Sequence, residues 1–337
     1  MLKIGINGFG RIGRMIVRGY FESKQYDNIE IVCINDITDK KTNIHLIKHD
    51  SVHGAFPSNV IETEDGMSID GHNIKMISEP DPEKIDWKSH GVDIVLECSG
   101  RFTKKIDAEK HIKAGAKRVI VSAPSEGADI TVVYGINHQN INNSHKVISN
   151  GSCTTNCISP VAYILNKEIG IECGYMTTIH SYTGDQRLLD VSHKDLHRAR
   201  AACMSMIPTS TGAARAVGLI LPELNGKLDG TSIRVPTPNV SLVDFKCVLK
   251  RGTTEKEINE LMKQYSNNSL KGILGYNDEP LVSIDFNHSK YSSIFDESGT
   301  KVLNDGKFCR VMSWYDNEFG FSNRMLDVLE YIANNNI

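Results

Sequence analysis

The chain has 337 residues, 40% hydrophobic and 23% charged, which is enough for roughly two packed domains and too apolar for a disordered chain. Its 38 lysines and arginines against 41 aspartates and glutamates leave a formal charge of −3, which argues against a protein built to coat nucleic acid or an anionic membrane. No run approaches the ~18 apolar residues of a membrane span, and eight cysteines are too sparse for a disulfide scaffold. The opening Met1-Leu2-Lys3-Ile4-Gly5 has neither the charged nor the apolar region of a secretion signal, so a cytoplasmic enzyme with reduced thiols is expected.

Residues 3–7 read as a short strand, followed at once by Gly8-Phe9-Gly10-Arg11-Ile12-Gly13. Residues 14–21 carry apolar side chains at helical spacing, and a second apolar run, 29–34, ends on Asn35-Asp36. This strand–glycine turn–helix–strand succession predicts a βαβ unit with parallel strands. Asp65-Gly66 and Asp70-Gly71 then predict antiparallel hairpins at the sheet edge. Parallel-type runs resume at 92–97 and 118–122, with a helix from Asp107 closed by Gly115 between them. Beyond about residue 150 the pattern changes. A helix beginning near Ser152 leads to an extended segment at 175–180; residues 182–207 are long, polar and basic, as in a functional loop or one ordered by a partner. Residues 240–248 alternate as a strand, and 318–333 form a terminal amphipathic helix.

Three clusters carry chemistry. In a dinucleotide fold Gly8 makes the turn, Gly10 lets backbone reach the pyrophosphate and Gly13 allows close helix packing. The helix N-terminus supplies amide donors for the diphosphate, and Asp36, 23 residues after Gly13, accepts from the adenosine ribose hydroxyls. A carboxylate there repels a 2′-phosphate and Ile37 offers it no donor, so NAD is favoured; Lys40 and Lys41, close behind, could soften that choice. The second cluster is Ser152-Cys153-Thr154-Thr155-Asn156-Cys157. A cysteine opening a helix has its thiolate stabilised by the amide dipole, and His180 could complete a thiol–imidazole pair. The competing reading of a lone cysteine is core packing; small hydroxyl neighbours speak against it for Cys153, while Cys157, one turn on, reads as structural, though the two could bridge on oxidation. The third cluster joins Thr209-Ser210-Thr211-Gly212, opening a helix, to Arg234, and suits either phosphate or a helix cap with a surface ion pair. His45, His49 and His53, and His193 with His197, lack the partners of a zinc site, and no metal is expected.

Together these segments resemble the phosphorylating glyceraldehyde-3-phosphate dehydrogenases, essentially end to end and in order: residues 7–14, 152–157, 180–183, 207–213, 234–239 and 314–320. The Ser-Cys-Thr-Thr-Asn-Cys run is specific to that family. The resemblance implies an α/β fold: a Rossmann-type parallel-sheet dinucleotide-binding domain (1–151, with 317–337 folding back) and an α+β catalytic domain with a mainly antiparallel sheet (152–316). It makes Cys153 the nucleophile and His180 its base. Thr183 and Arg234 would hold the phosphate of glyceraldehyde 3-phosphate; Ser152, Thr154, Thr211 and Gly212 would hold inorganic phosphate. Arg11, Ile12, Asp36, Ser122 and Asn317 fall at cofactor positions. A homotetramer is implied, with the 182–207 loop reaching a neighbouring subunit, and glycolysis or gluconeogenesis as the setting.

Two positions depart from the family pattern. Pro80 stands where many relatives have an arginine, and Ser192 stands where strictly NAD-using relatives often have proline, which leaves room for some NADP use. Other readings use fewer of the residues. A cysteine hydrolase leaves the glycine turn idle, and a non-catalytic dinucleotide sensor has no need of both Cys153 and His180. An erythrose-4-phosphate dehydrogenase of the same family tends to alter the threonines that stand here at 183, 209 and 211.

Overall fold

Short β-branched strands separated by amphipathic helices build the N-terminal half. The computed structural model describes residues 1–23 and 25–337, which fall into two compact units. One comprises Met1–Val132, His138–Ser152 and Ser322–Ile337; the other comprises Val133–Asn137 and Cys153–Phe321.

The first unit contains β1 (Leu2–Asn7), α1 (Arg11–Ser23), β2 (Ile29–Asn35), α2 (Lys40–Lys48), β3 (His49–Asp50), β4 (Gly54–Ala55), β5 (Val60–Glu62), β6 (Gly66–Ile69), β7 (His72–Ile77), β8 (Ile94–Glu97), α3 (Lys105–Lys113), β9 (Arg118–Val121), β10 (Ile130–Thr131) and β11 (Val147–Ser149). Among the described residues its large sheet runs β10-β11-β9-β8-β1-β2-β7-β6-β5. All pairs from β10 to β7 are parallel, and only the β7-β6-β5 edge is antiparallel. The two Asp-Gly signals therefore sit where expected: Asp70 and Gly71, with φ of 50° and 88°, turn β6 into β7. The interior strands bury Ile4, Ile6, Ile31, Ile34, Val95 and Leu96 completely, as a sheet with no solvent-facing side requires.

The second unit contains α4 (Cys153–Glu168), β12 (Ile171–Ser181), β13 (Ile207–Ser210), α5 (Ala213–Ile220), β14 (Leu228–Val235), β15 (Ser241–Leu249), α6 (Glu255–Asn267), β16 (Leu274–Asn277), β17 (Ser293–Leu303), β18 (Phe308–Tyr315) and the start of α7 (Phe319–Asn334). Its sheet runs β13-β14-β12-β15-β18-β17-β16 and is mainly antiparallel, with β12–β14 and β16–β17 parallel. Alternate residues of β15 (Val243, Phe245, Cys247, Leu249) face a core shared with Cys157, Ile158, Val161 and Leu165 of α4. One end of this sheet matters for chemistry. β12 ends on His180 and Ser181, β14 on Arg234 and Val235, β18 on Tyr315, while β15 begins at Ser241; the register sets His180 against Arg234 and Ser241 against Tyr315.

Candidate active site

The glycine turn of the first unit is shaped for a dinucleotide. Gly8 has φ +95°, and a Cβ there would meet the Ser99 backbone nitrogen at 2.5 Å, so only glycine fits. A Cβ on Gly13 would lie 2.3 Å from the Gly8 carbonyl oxygen, which is the close helix-to-turn packing expected of the third glycine. Gly10, by contrast, has no atom within 4 Å of an added Cβ, leaving its backbone open to a ligand. A cavity of about 200 Å³ opens beside the turn, lined among others by Gly8, Gly10, Asp36, Ile37, Pro80 and Ser99. Asp36 accepts from Phe9 N at 2.6 Å and Thr38 N at 2.8 Å, one on each oxygen, and each oxygen keeps a lone pair for a further donor. Arg11 and Ile12 form the first turn of α1, with no acidic residue to oppose a diphosphate. The Arg11 guanidinium is ion-paired with Asp50. Burial pushes the Asp50 carboxyl up, but the Arg11 bond and the amides of His53 and Val52 outweigh it and hold it at about 2. Lys40, weighed as a 2′-phosphate partner, donates instead to the carbonyls of Thr63 (2.7 Å) and Glu64 (3.0 Å). Ser122 follows β9 and donates its N–H to the Glu97 carbonyl at 3.0 Å. The residues present fit NAD.

In the second unit Cys153 is the first residue of α4, directly after Ser152, and its Sγ lies 3.6 Å from His180 Nε2. The other ring nitrogen, Nδ1, is 2.7 Å from the Ser181 carbonyl, an atom that only accepts. Nδ1 also lies 2.9 Å from the Arg234 NH1, which only donates; the closer carbonyl favours the tautomer with the proton on Nδ1, in which Nε2 keeps the lone pair that faces the thiol. Burial and the neighbouring Arg234 charge lower His180 to about 3, so the imidazole rests neutral. The expected thiolate meets an opposing force. Burial pushes the Cys153 thiol up, against the Arg234 charge and the Thr154 hydrogen bonds that pull it down. Burial thus opposes the thiolate while Arg234 and Thr154 favour it. Cys157 lies inside the core, its Sγ 3.7 Å from both Ser293 Oγ and the Ser313 carbonyl, and burial pushes it up to about 12.

Arg234 donates to the Ser181 carbonyl at 3.1 Å, and its NH1 lies 2.9 Å from His180 Nδ1. Burial lowers its own pKa, while its Nε and the Ser232 hydroxyl have no hydrogen-bond partner among the described residues. These are conditions in which an anion is welcome. Thr209 bridges Asp195 (3.0 Å) and Arg198 (3.1 Å), and Thr211 Oγ1 accepts from Ala213 N at the start of α5, with Gly212 as its exposed N-cap. Thr183 is half-buried, its N–H 3.4 Å from Gln186 Oε1.

Asn317 sits in the turn between β18 and α7, its Oδ1 accepting from Ser181 and Ser241 hydroxyls at 2.8 Å each. Sequence reasoning assigned no role to these two serines, nor to Tyr315. The Tyr315 hydroxyl bridges Thr154 and Thr178, at 2.8 Å to each, and its ring meets His180 edge-on with centroids 5.9 Å apart. No local signal marks Tyr315, because its partners lie 161 and 137 residues away in the chain.

Two family models match the chain: "Glyceraldehyde 3-phosphate dehydrogenase, NAD binding domain" over residues 2–105, and "Glyceraldehyde 3-phosphate dehydrogenase, C-terminal domain" over residues 152–317. The chain is 59% identical over 326 residues to the glyceraldehyde-3-phosphate dehydrogenase of Xanthobacter flavus, covering 97% of each chain. It is 52% identical to glyceraldehyde-3-phosphate dehydrogenase 1 of Bacillus cereus, covering 99% of each. Against the enzyme of that name from Geobacillus stearothermophilus it is likewise 52% identical, covering 98% of each.

Proposed function

Because the chain belongs to the glyceraldehyde-3-phosphate dehydrogenase family, we propose that it oxidises glyceraldehyde 3-phosphate with NAD and inorganic phosphate to 1,3-bisphosphoglycerate. The observation that carries this reading is the Cys153–His180 pair at the start of α4, beside Arg234. A free aldehyde cannot release hydride as an acyl cation. Cys153 Sγ therefore adds to the carbonyl carbon as His180 Nε2 takes the thiol proton, forming a tetrahedral hemithioacetal. The Cys153 N–H at the helix start and the protonated His180 ring stabilise its oxyanion. NAD, when bound, supplies the hydride acceptor. His180 hands the thiol proton to the oxyanion, giving the hemithioacetal hydroxyl, and takes it back as the C–H hydride leaves and the carbonyl re-forms; the resulting thioester retains the acyl-transfer potential that hydrolysis would dissipate. Phosphate attacks that thioester, and Cys153 leaves as thiolate; a serine ester would be less reactive.

Within this reading Thr183 and Arg234 hold the substrate phosphate, and Ser152, Thr154, Thr211 and Gly212 hold the attacking phosphate, with Arg234 near both. Gly8, Gly10, Arg11, Ile12, Gly13, Asp36, Ser122 and Asn317 hold the cofactor. Residues 1–151 with 317–337 serve as the cofactor domain and 152–316 as the catalytic domain. A homotetramer in the cytoplasm is part of the same proposal. Leu188, Leu189, Leu196, Met204 and Met206 of the 182–207 loop are each at least 70% exposed, an apolar load suited to burial against another subunit. Eight free thiols suit a reducing compartment.

Steady-state assay of glyceraldehyde 3-phosphate with NAD or NADP, with and without phosphate, tests the reaction. NADH production that depends on phosphate is expected; thiol-dependent ester hydrolysis without nicotinamide would refute it. Light scattering of the purified chain tests the tetramer, and a monomer at micromolar concentration would overturn it.

A further inference from the structure

The Asn317 amide is built into a socket. The Ser181 and Ser241 side chains are 0% and 1% exposed, so each hydroxyl proton must find an acceptor within the protein. Both find the same one, Asn317 Oδ1, at 2.8 Å. They cannot serve each other well, being 3.5 Å apart, and Ser241 Oγ already accepts the Ser181 backbone N–H at 3.1 Å. Turning the amide over would put an NH2 donor against the two hydroxyls and leave both protons without an acceptor. The backbone beneath is held as well. The Asp316 carboxylate receives the N–H groups of His288, Glu318 and Phe319 and the Asn239 amide, all within 2.9 Å. Asn317 Nδ2 has no hydrogen-bond partner among the described residues, and the residue keeps 6% of its surface exposed.

We propose that Ser181 and Ser241 are positioning residues for the cofactor: they lock the Asn317 amide so that its NH2, and not its oxygen, is presented to the carboxamide oxygen of the nicotinamide. This rests on the assignment of Asn317 to the cofactor made above. A donor of fixed direction selects one orientation of the carboxamide. An amide free to turn presents donor and acceptor alike and loses that selection. The serines are 60 residues apart, on β12 and β15, so the socket exists only once those strands pair.

Calorimetric binding of NAD and of ADP-ribose, which lacks the nicotinamide, separates this role from simple support of the fold. Loss of one hydroxyl donor should weaken NAD about five-fold and loss of both about 10- to 30-fold, the effect of ~1 kcal/mol per hydrogen bond, with ADP-ribose unchanged. Ser241→Thr, which keeps the hydroxyl, should restore the ratio of NAD to ADP-ribose affinity. The single variants Ser181→Ala and Ser241→Ala carry the test if the double variant does not fold. Asn317→Ala provides the reference and should lose NAD selectively. If it does so while the serine variants keep the wild-type ratio, the socket is refuted and the Asn317 assignment stands. If Asn317→Ala leaves the ratio unchanged, the assignment fails and the proposal falls with it. Equal weakening of both ligands in the serine variants would reduce the serines to structural support and overturn the proposal.

Discussion

Replacing Asp36 by alanine tests the cofactor preference at its physical root. In the wild type a 2′-phosphate would be placed beside the Asp36 carboxylate, with the exposed Arg101 lining the same cavity. Ile37 is 62% exposed and apolar, and Lys40 is held by the carbonyls of Thr63 and Glu64. Like charges near a solvated surface cost only ~1–3 kcal/mol, so NAD should lead NADP about 5- to 150-fold in kcat/KM. Asp36→Ala removes the repulsion and also the charged acceptor for the ribose hydroxyls, a loss of ~1.5–3 kcal/mol, or roughly 10- to 150-fold, for NAD. It further releases the N–H groups of Phe9 and Thr38, which the carboxylate holds at 2.6 and 2.8 Å, so the turn loosens for either cofactor. The two cofactors should therefore approach parity, chiefly because NAD activity falls. The assay is kcat/KM for each cofactor at fixed ionic strength, since salt screens the repulsion. A wild type that prefers NADP, or a ratio unmoved by Asp36→Ala, would show that the carboxylate does not set the choice.

Cys153→Ser should abolish oxidation while leaving NAD affinity, measured calorimetrically, nearly unchanged; full activity would exclude covalent catalysis. His180→Asn removes the Nε2 acceptor and should slow both iodoacetamide alkylation of Cys153 and turnover by roughly 10²–10⁴-fold; an unchanged alkylation rate would show that His180 does not activate the thiol. Because burial pushes the thiol up and Arg234 pulls it back, wild-type alkylation should still be rising at alkaline pH, and Arg234→Leu should move that rise to higher pH still; a shift to lower pH would contradict the sign. Asp50, held at about 2 against an ordinary 3.8, favours the folded state above pH ~4 and loses that contribution as pH falls toward 2. Urea unfolding of Asp50→Asn at pH 7 should thus show a loss of ~2 kcal/mol that shrinks through that window.

Much of the cofactor turn was legible in the sequence because its constraints are local. The φ of Gly8, the collision a Cβ would make at Gly13 and the place of Asp36 just after β2 all fall within one βαβ unit, where spacing alone implies geometry. The Asp-Gly turns and the helix that Cys153 opens were readable for the same reason. In the second unit β14, α6 and β16–β18 carried no comparably sharp local signal, and the chemistry there depends on their pairing. His180 meets Arg234 across 54 residues, Thr154 meets Tyr315 across 161, and Ser241 meets Asn317 across 76. The forces on the Cys153 thiol divide on the same account. A helix N-terminus is a local feature, but the burial and the arginine that contend over the thiol come from the packed sheet. Residue types and their spacing determined which chemistry was on offer; strand register and burial decided which groups touch and where their protons rest, because contact distance and desolvation exist only after distant strands have paired.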